Sequence, residues 1–209
     1  MGMVLNNLTA VTVHCNTLEL LHKSVTSIGH FYPDLPIKVI ENSIVNKGHG
    51  PGMHEGIMTA ESDFVLLFDT DIVMKKPCLE KMMELFGKDT FGVGEVNLED
   101  QEIYRIKFGS GTKKIPVLHP YFHIVQKKVY QKFLPYVQNG GPVFLTALDI
   151  FSQGLSDRIL KNFPVRDYVE HRWRGTRDIN PPDMFKNSVV LNKEYVERFA
   201  ENWRKTCTK

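Results

Sequence analysis

Asp69 and Asp71, one residue apart, follow directly on an unbroken apolar run, Phe64-Val65-Leu66-Leu67-Phe68. Such a run fits a strand buried on both faces of a parallel sheet, and side chains just past its end leave the core together toward one mouth. Two carboxylates held that close repel each other unless a cation lies between them. A hard divalent ion, Mg²⁺ or Mn²⁺, takes such oxygen ligands and keeps coordination positions open for a diphosphate. The plainer alternative for so short a motif is a pair of solvated loop acids, or acids capping a helix that Pro77 begins.

The flanking pattern supplies a frame for the pair. Residues 9–14 are a β-branched run, and Asn16 with Glu19 three positions later predicts a helix start, with Leu18, Leu21, Val25 and Ile28 as its apolar stripe. A turn at residues 33–36 leads into a second strand at 37–41, which completes a βαβ unit and implies a parallel sheet. The glycines Gly48, Gly50 and Gly52 predict a loop ahead of a helix at 53–60, and the buried strand at 63–68 follows. Pro77 starts another helix, with Leu79, Met82, Met83 and Phe86 on one face. Residues 69–76 therefore form a loop between strand and helix, where ligand sites of α/β proteins lie. Beyond residue 90 the pattern mixes strands at 91–96 and 121–125 with helices at 127–137 and 145–162. Tyr195, Val196, Phe199 and Trp203 mark a packing helix at 192–205.

Composition bounds the rest. The 209 residues suit one α/β domain with a mostly parallel sheet flanked by helices, divided into a nucleotide-side half, 1–90, and an acceptor-side half, 91–209. A net charge of +2, with only short basic pairs, gives no reason to expect nucleic acid as a partner. Cys15, Cys78 and Cys207 are odd in number and lack metal-ligand spacing, which fits a reducing, cytoplasmic setting. No apolar stretch is long enough for a membrane span, residues 1–8 carry no signal-peptide pattern, and Asn6 stands where an N-myristoylation motif wants Ser or Thr.

Several segments together carry a family likeness. Val11-Thr12-Val13-His14-Cys15-Asn16-Thr17-Leu18-Glu19-Leu20-Leu21, Val39-Ile40-Glu41-Asn42-Ser43, the stretch from Asn46-Lys47-Gly48 to His54-Glu55-Gly56-Ile57, and Ser62-Asp63-Phe64 through Asp71 occur in order. This succession resembles the inverting nucleotide-sugar glycosyltransferases of the GT-A fold, the large family 2-like group that includes many polysaccharide and glycolipid synthases. His14 and Cys15 stand where that family has Thr and Tyr, and His54 where it has Asn. The resemblance implies transfer of a sugar from a nucleoside-diphosphate sugar to an acceptor hydroxyl, with inversion and with Mn²⁺ or Mg²⁺. It implies donor contacts from His14, Asn16, Glu41, Asn42, Gly48, His54, Asp69 and Thr70, and metal ligation by Asp69 and Asp71. In the second half, Leu148-Asp149-Ile150-Phe151 is similar to the family's Glu-Asp motif, with Leu148 in place of Glu, which implies Asp149 as general base. Val169-Glu170-His171-Arg172-Trp173-Arg174-Gly175-Thr176 resembles the late strand whose His, here His171, completes the metal site or touches the diphosphate.

His119, Tyr121 and His123 lie where acceptor contacts could arise, and Trp173 could stack on a sugar ring. Plainer uses exist for each second-half residue: a helix cap or salt bridge for Asp149, a satisfied half-buried imidazole for His171, and core packing for the other four. Two other functions also fit part of the pattern. Phe68-Asp69-Thr70-Asp71-Ile72-Val73 resembles the nucleophile strand of haloacid-dehalogenase-type phosphatases, although here a full βαβ unit precedes it. The substitutions at His14, Cys15, His54 and Leu148 would suit a nucleotide-sugar-binding module without turnover.

Overall fold

Residues 5–100, 114–137 and 141–172 are described in the computed structural model of the chain. The predicted helix at 192–205, and Trp173 through Thr176 of the late strand, lie outside them. Strand β1 (Leu8–His14) and strand β2 (Ile37–Glu41) are joined by helix α1 (Leu18–Phe31), and helix α2 (His49–Thr59) leads to β3 (Phe64–Phe68). After β4 (Ile72–Met74) and the short α3 (Leu79–Met83) come two long strands, β5 (Gly92–Asp100) and β6 (Lys114–Gln126). Helices α4 (Lys127–Tyr130), α5 (Phe144–Ser152) and α6 (Ser156–Ile159), then β7 (Leu160–Asn162), a 3-10 turn (Val165–Asp167) and β8 (Val169–His171), complete the described chain.

Six strands form one sheet in the order β2-β1-β3-β6-β5-β7, and β4 pairs with β8 in a separate ladder. β1 is parallel to β2 and β3, and β5 is parallel to β7; β6 runs antiparallel to both of its neighbours, β3 and β5. One reversed strand in a sheet of parallel sense is thus the architecture, with helices on both faces. The run at β3 shows why it reads as continuously apolar. Val65 and Leu67 belong to the core shared with Met53, Ile57 and Phe144, whereas Leu66 and Phe68 belong to the opposite core with Ile28, Met82 and Phe122. Alternate side chains leave opposite faces of a strand, and here both faces are covered.

The structure corrects several expectations at the level of elements. Asn16 does not cap α1; it adopts a left-handed backbone (φ 53°), its N–H donates to Ser43 Oγ, and Thr17 is the N-cap residue. Leu18, expected in the apolar stripe, is 72% exposed because the first turn of α1 lies beyond the core that covers Ile28. The glycine run is not a loop but the first turn of α2. Its glycines serve packing: a Cβ on Gly52 would lie 2.8 Å from Val13 Cγ1, and one on Gly56 only 2.2 Å from Val11 Cγ1. The loop expected at 69–76 contains β4. The helix expected at 127–137 stops at Tyr130, ahead of Pro135, which has no N–H for a helical hydrogen bond. The one expected at 145–162 breaks at Gly154 (φ 67°) into α5, α6 and β7.

Candidate active site

Asp69 leaves the end of β3 with its backbone pinned, since its N–H donates to the carbonyl of Tyr121 on the neighbouring β6 at 2.9 Å. Two residues on, Asp71 immediately precedes β4, whose Ile72 is registered opposite His171 of β8. The Arg172 N–H closes this ladder on the Asp71 carbonyl at 2.9 Å. A three-residue strand pair thus carries a histidine from late in the chain to the two carboxylates. His171 Nε2 lies 3.2 Å from Asp71 Oδ1 and 3.7 Å from Asp69 Oδ2. One donor atom from each of the three residues fits within 4.8 Å of the others. Asp71 is only 6% exposed. Two carboxylates and an imidazole in that space are a donor set that fits Mn²⁺ or Mg²⁺.

A fourth side chain, not singled out by the sequence reading, reaches the same group. His49, the first residue of α2, places Nε2 3.3 Å from Asp69 Oδ1. Burial alone would raise the Asp69 pKa, but the His49 hydrogen bond and the nearby His49 and His171 charges hold it below the usual carboxylate value. His49 is moved the other way, with burial opposing and Asp69 prevailing, so its pKa is raised. The signal for His49 was a lone polar side chain between Gly48 and Gly50, at the start of a helix that follows the second strand.

His171 is backed by Tyr121 and His119, for which packing was the plainer expectation. The Tyr121 ring stacks on it at 4.7 Å between centroids and 5° between planes, and His119 lies edge-on to both rings. The Tyr121 hydroxyl donates to Glu95 at 2.7 Å. His123, by contrast, is fully buried and pairs with the Tyr136 hydroxyl at 3.2 Å, the packing use expected of it.

The residues expected to meet the donor's nucleoside gather at the ends of β1 and β2. His14 is registered opposite Glu41, with Nδ1 3.0 Å from Glu41 Oε2. Its Nε2 accepts the Thr17 N–H at 3.1 Å, which leaves the ring proton on Nδ1, donating to Glu41. Hydrogen bonds from Ser43, then from His14, depress the Glu41 pKa to about 2. Asn42 is buried and shapes the loop that follows: its Oδ1 accepts the Lys47 N–H, and its amide donates to Asn46. Gly48 stands at the N-cap of α2 with φ 93°. Thr70 is buried, its hydroxyl accepting that of Thr17 at 3.2 Å.

Two further residues expected at the site stand on helices α2 and α5. His54 pairs Nδ1 with the Tyr130 hydroxyl at 2.9 Å, where α2 meets α4. Asp149, on the second turn of α5 and 6% exposed, accepts the Leu134 N–H on Oδ2 and the Gln153 amide on Oδ1. Oδ2 thus ties the 131–137 segment to α5, while Oδ1 is met by the C-cap residue of α5 itself.

A sequence model described as glycosyl transferase family 2 matches residues 16–149, more than half of the chain. The chain belongs to glycosyl transferase family 2. The phosphatase alternative falls with that assignment. No curated protein matches the chain in sequence. Among solved structures, glucosyl-3-phosphoglycerate synthase from Mycobacterium tuberculosis in complex with phosphoglyceric acid is similar at TM-score 0.57 and 12% identity, over 93% of this chain and 80% of that one. The same enzyme with Mn²⁺, UDP and glucosyl-3-phosphoglycerate gives 0.54 at 13% identity, over 83% and 74%. A mannosyltransferase from Pyrobaculum calidifontis in complex with GDP-Man and Mn²⁺ gives 0.51 at 14% identity, over 97% and 75%. At these identities the likeness is one of fold, and this family 2 member has the GT-A fold. The family match ends at Asp149, so His171 reaches the site from outside the matched stretch. Among the described residues no helix is long and apolar enough to cross a membrane.

Proposed function

We propose that this family 2 glycosyltransferase moves a sugar from a nucleoside-diphosphate sugar to an acceptor hydroxyl, using a divalent cation held by Asp69, Asp71 and His171. The observation that carries the reading is the convergence of these three side chains within 4.8 Å. When bound there, Mn²⁺ or Mg²⁺ would neutralise the negative charge that develops on the departing diphosphate. Asp69 and Asp71 supply the anionic ligands, and His171 adds a nitrogen without adding charge. The His14–Glu41 pair and Asn42 build the nucleoside edge of the cleft: Glu41 presents an ionised carboxylate, about half exposed, to a ribose or base. His49, at the start of α2 and against Asp69, is placed on the diphosphate side. The fold neighbours support the reading, since they were solved with Mn²⁺ and with UDP or GDP-Man. Inversion is the proposed outcome by likeness to the inverting members, and the anomeric configuration of the first product, read by NMR, tests it. A cytoplasmic location is proposed from the odd number and wide spacing of Cys15, Cys78 and Cys207 in the sequence.

The test is a panel of nucleotide sugars with and without MnCl₂, followed by thermal stabilisation and by release of nucleoside diphosphate. Stabilisation that requires both metal and one nucleotide sugar, with release of its diphosphate on adding acceptors, supports the proposal. Binding without release would make the protein a nucleotide-sugar-binding module, and stabilisation by neither would remove the donor from the account.

A further inference from the structure

Tyr121 touches both halves of the proposed metal group. Its carbonyl accepts the Asp69 N–H, and its ring lies flat against the imidazole of His171. It comes from an irregularity in the β5–β6 ladder. Gly94 pairs with His123 but Val96 pairs with Leu118, so residues 119–122 of β6 bulge opposite Glu95. Such bulges re-aim side chains. In this one the Tyr121 hydroxyl bonds Glu95 Oε2 at 2.7 Å. Glu95 is gripped from the other side by Arg166, whose Nε meets Oε2 at 3.0 Å and whose Nη2 meets Oε1 at 2.6 Å. Arg166 lies in the 3-10 turn that immediately precedes β8, the strand that carries His171. The connections close a ring: Arg166 holds Glu95, Glu95 holds the Tyr121 hydroxyl, the Tyr121 ring holds the His171 plane, and the chain returns to Arg166.

A histidine at the end of a three-residue strand has few restraints of its own. The ladder fixes its backbone, but the tilt of the imidazole, which decides whether Nε2 faces the carboxylates, is set by what lies against the ring. Neighbouring groups that orient a metal-ligating imidazole, known chiefly as hydrogen-bond partners of its ring N–H, cost about 10- to 100-fold in metal affinity when lost, and a ring stacked flat on the imidazole fixes the same tilt by packing. We propose that Tyr121, locked by the Glu95–Arg166 pair, is a positioning residue that orients His171 toward Asp69 and Asp71 for cation binding. The inference rests on the metal role of His171 in the proposed function.

The experiment is a Mn²⁺ titration of the folded protein, followed by the EPR signal of free Mn²⁺, with melting temperature recorded for each variant. His171→Ala weakens Mn²⁺ binding at least about tenfold. Tyr121→Leu, which removes the stack, weakens it by about tenfold, and Tyr121→Phe or Glu95→Gln, which loosen the anchor but keep the ring, by about threefold. In the His171→Ala background none of the three changes Mn²⁺ binding further, because each acts through His171; a merely structural role would lower melting temperature alike in both backgrounds. Wild-type Mn²⁺ affinity in folded Tyr121→Leu, beside a weakened His171→Ala, overturns the positioning role alone. Should Tyr121→Leu fail to fold, Tyr121→Phe and Glu95→Gln decide by the same criterion. A His171→Ala protein that binds Mn²⁺ like the wild type overturns the metal reading itself, and the positioning role with it.

Discussion

His171 and Ile72 face each other across the β4–β8 ladder, and Ile72 directly follows Asp71. That register joins the two ends of the proposed metal group, because a strand pair only three residues long places the late histidine 3.2 Å from the carboxylate. The ladder hydrogen bonds are main-chain, so His171→Ala should leave them in place. The expected outcome is a melting temperature within about 2 °C of wild type without metal, which corresponds to about 0.5–1 kcal/mol for a chain of this size. Differential scanning fluorimetry with and without MnCl₂ checks this, with stabilisation by Mn²⁺ and UDP largely lost in the variant.

Asp149 separates a structural from a catalytic use by a conservative change. Asparagine keeps a carbonyl oxygen that accepts the Leu134 N–H, so Asp149→Asn is expected to retain sugar transfer within a few-fold. Asp149→Ala leaves that buried N–H without its acceptor and should lose about 1–3 kcal/mol of stability in urea unfolding. A drop in transfer of 10² or more in Asp149→Asn at unchanged stability would instead make Asp149 the general base.

The contact between α2 and β1 predicts a penalty for an otherwise helix-favouring change. Gly56→Ala gains helix propensity but drives a methyl to within 2.2 Å of Val11 Cγ1, and overpacking of this kind costs about 1–3 kcal/mol. Val11→Ala in the same chain makes room, so the double variant should lose less than the two single losses added together. Urea midpoints of the three variants measure the coupling.

Buried His123 predicts an acid limb of the stability curve. Burial pushes its pKa from 6.5 down to about 3, so between those values the unfolded chain takes up a proton that the folded chain refuses. Stability is therefore full above pH 6.5 and falls as the pH is lowered, by about 1.4 kcal/mol per pH unit for this one group. His123→Gln, which can still reach the Tyr136 hydroxyl, should flatten the slope by that amount between pH 6.5 and 4.5, as read from urea unfolding at each pH.

The residues that were legible in the sequence are those whose surroundings are local. The β3 run and the Asp69–Asp71 pair stand within eight consecutive residues, and the βαβ opening follows from hydrophobic spacing alone. His171 was found only through a likeness to a late strand. The ladder that delivers it pairs segments far apart in the chain, and β4 is too short to leave a periodic pattern. Asp149 was singled out by motif position, but that its carboxylate also accepts the Leu134 N–H was not legible, because that bond joins α5 to the segment ahead of it through tertiary packing. Gly48 to Gly52 read as a loop ahead of the helix because sequence does not reveal that Val13 lies directly beneath Gly52. Glu95 was not legible as a site residue, nor was the place of Tyr121 against His171, since the bulge that joins them depends on strand register.

Whether Asp69, Asp71 and His171 hold a cation which in turn holds a nucleoside diphosphate is decided by isothermal titration of UDP and GDP into wild type and Asp71→Ala, each with and without MnCl₂. The expected result is binding of one nucleotide to the wild type that weakens at least about tenfold when Mn²⁺ is omitted, and that gains nothing from Mn²⁺ in Asp71→Ala. Equal, metal-independent affinity in both proteins, or Mn²⁺ enhancement that survives the loss of Asp71, would contradict it.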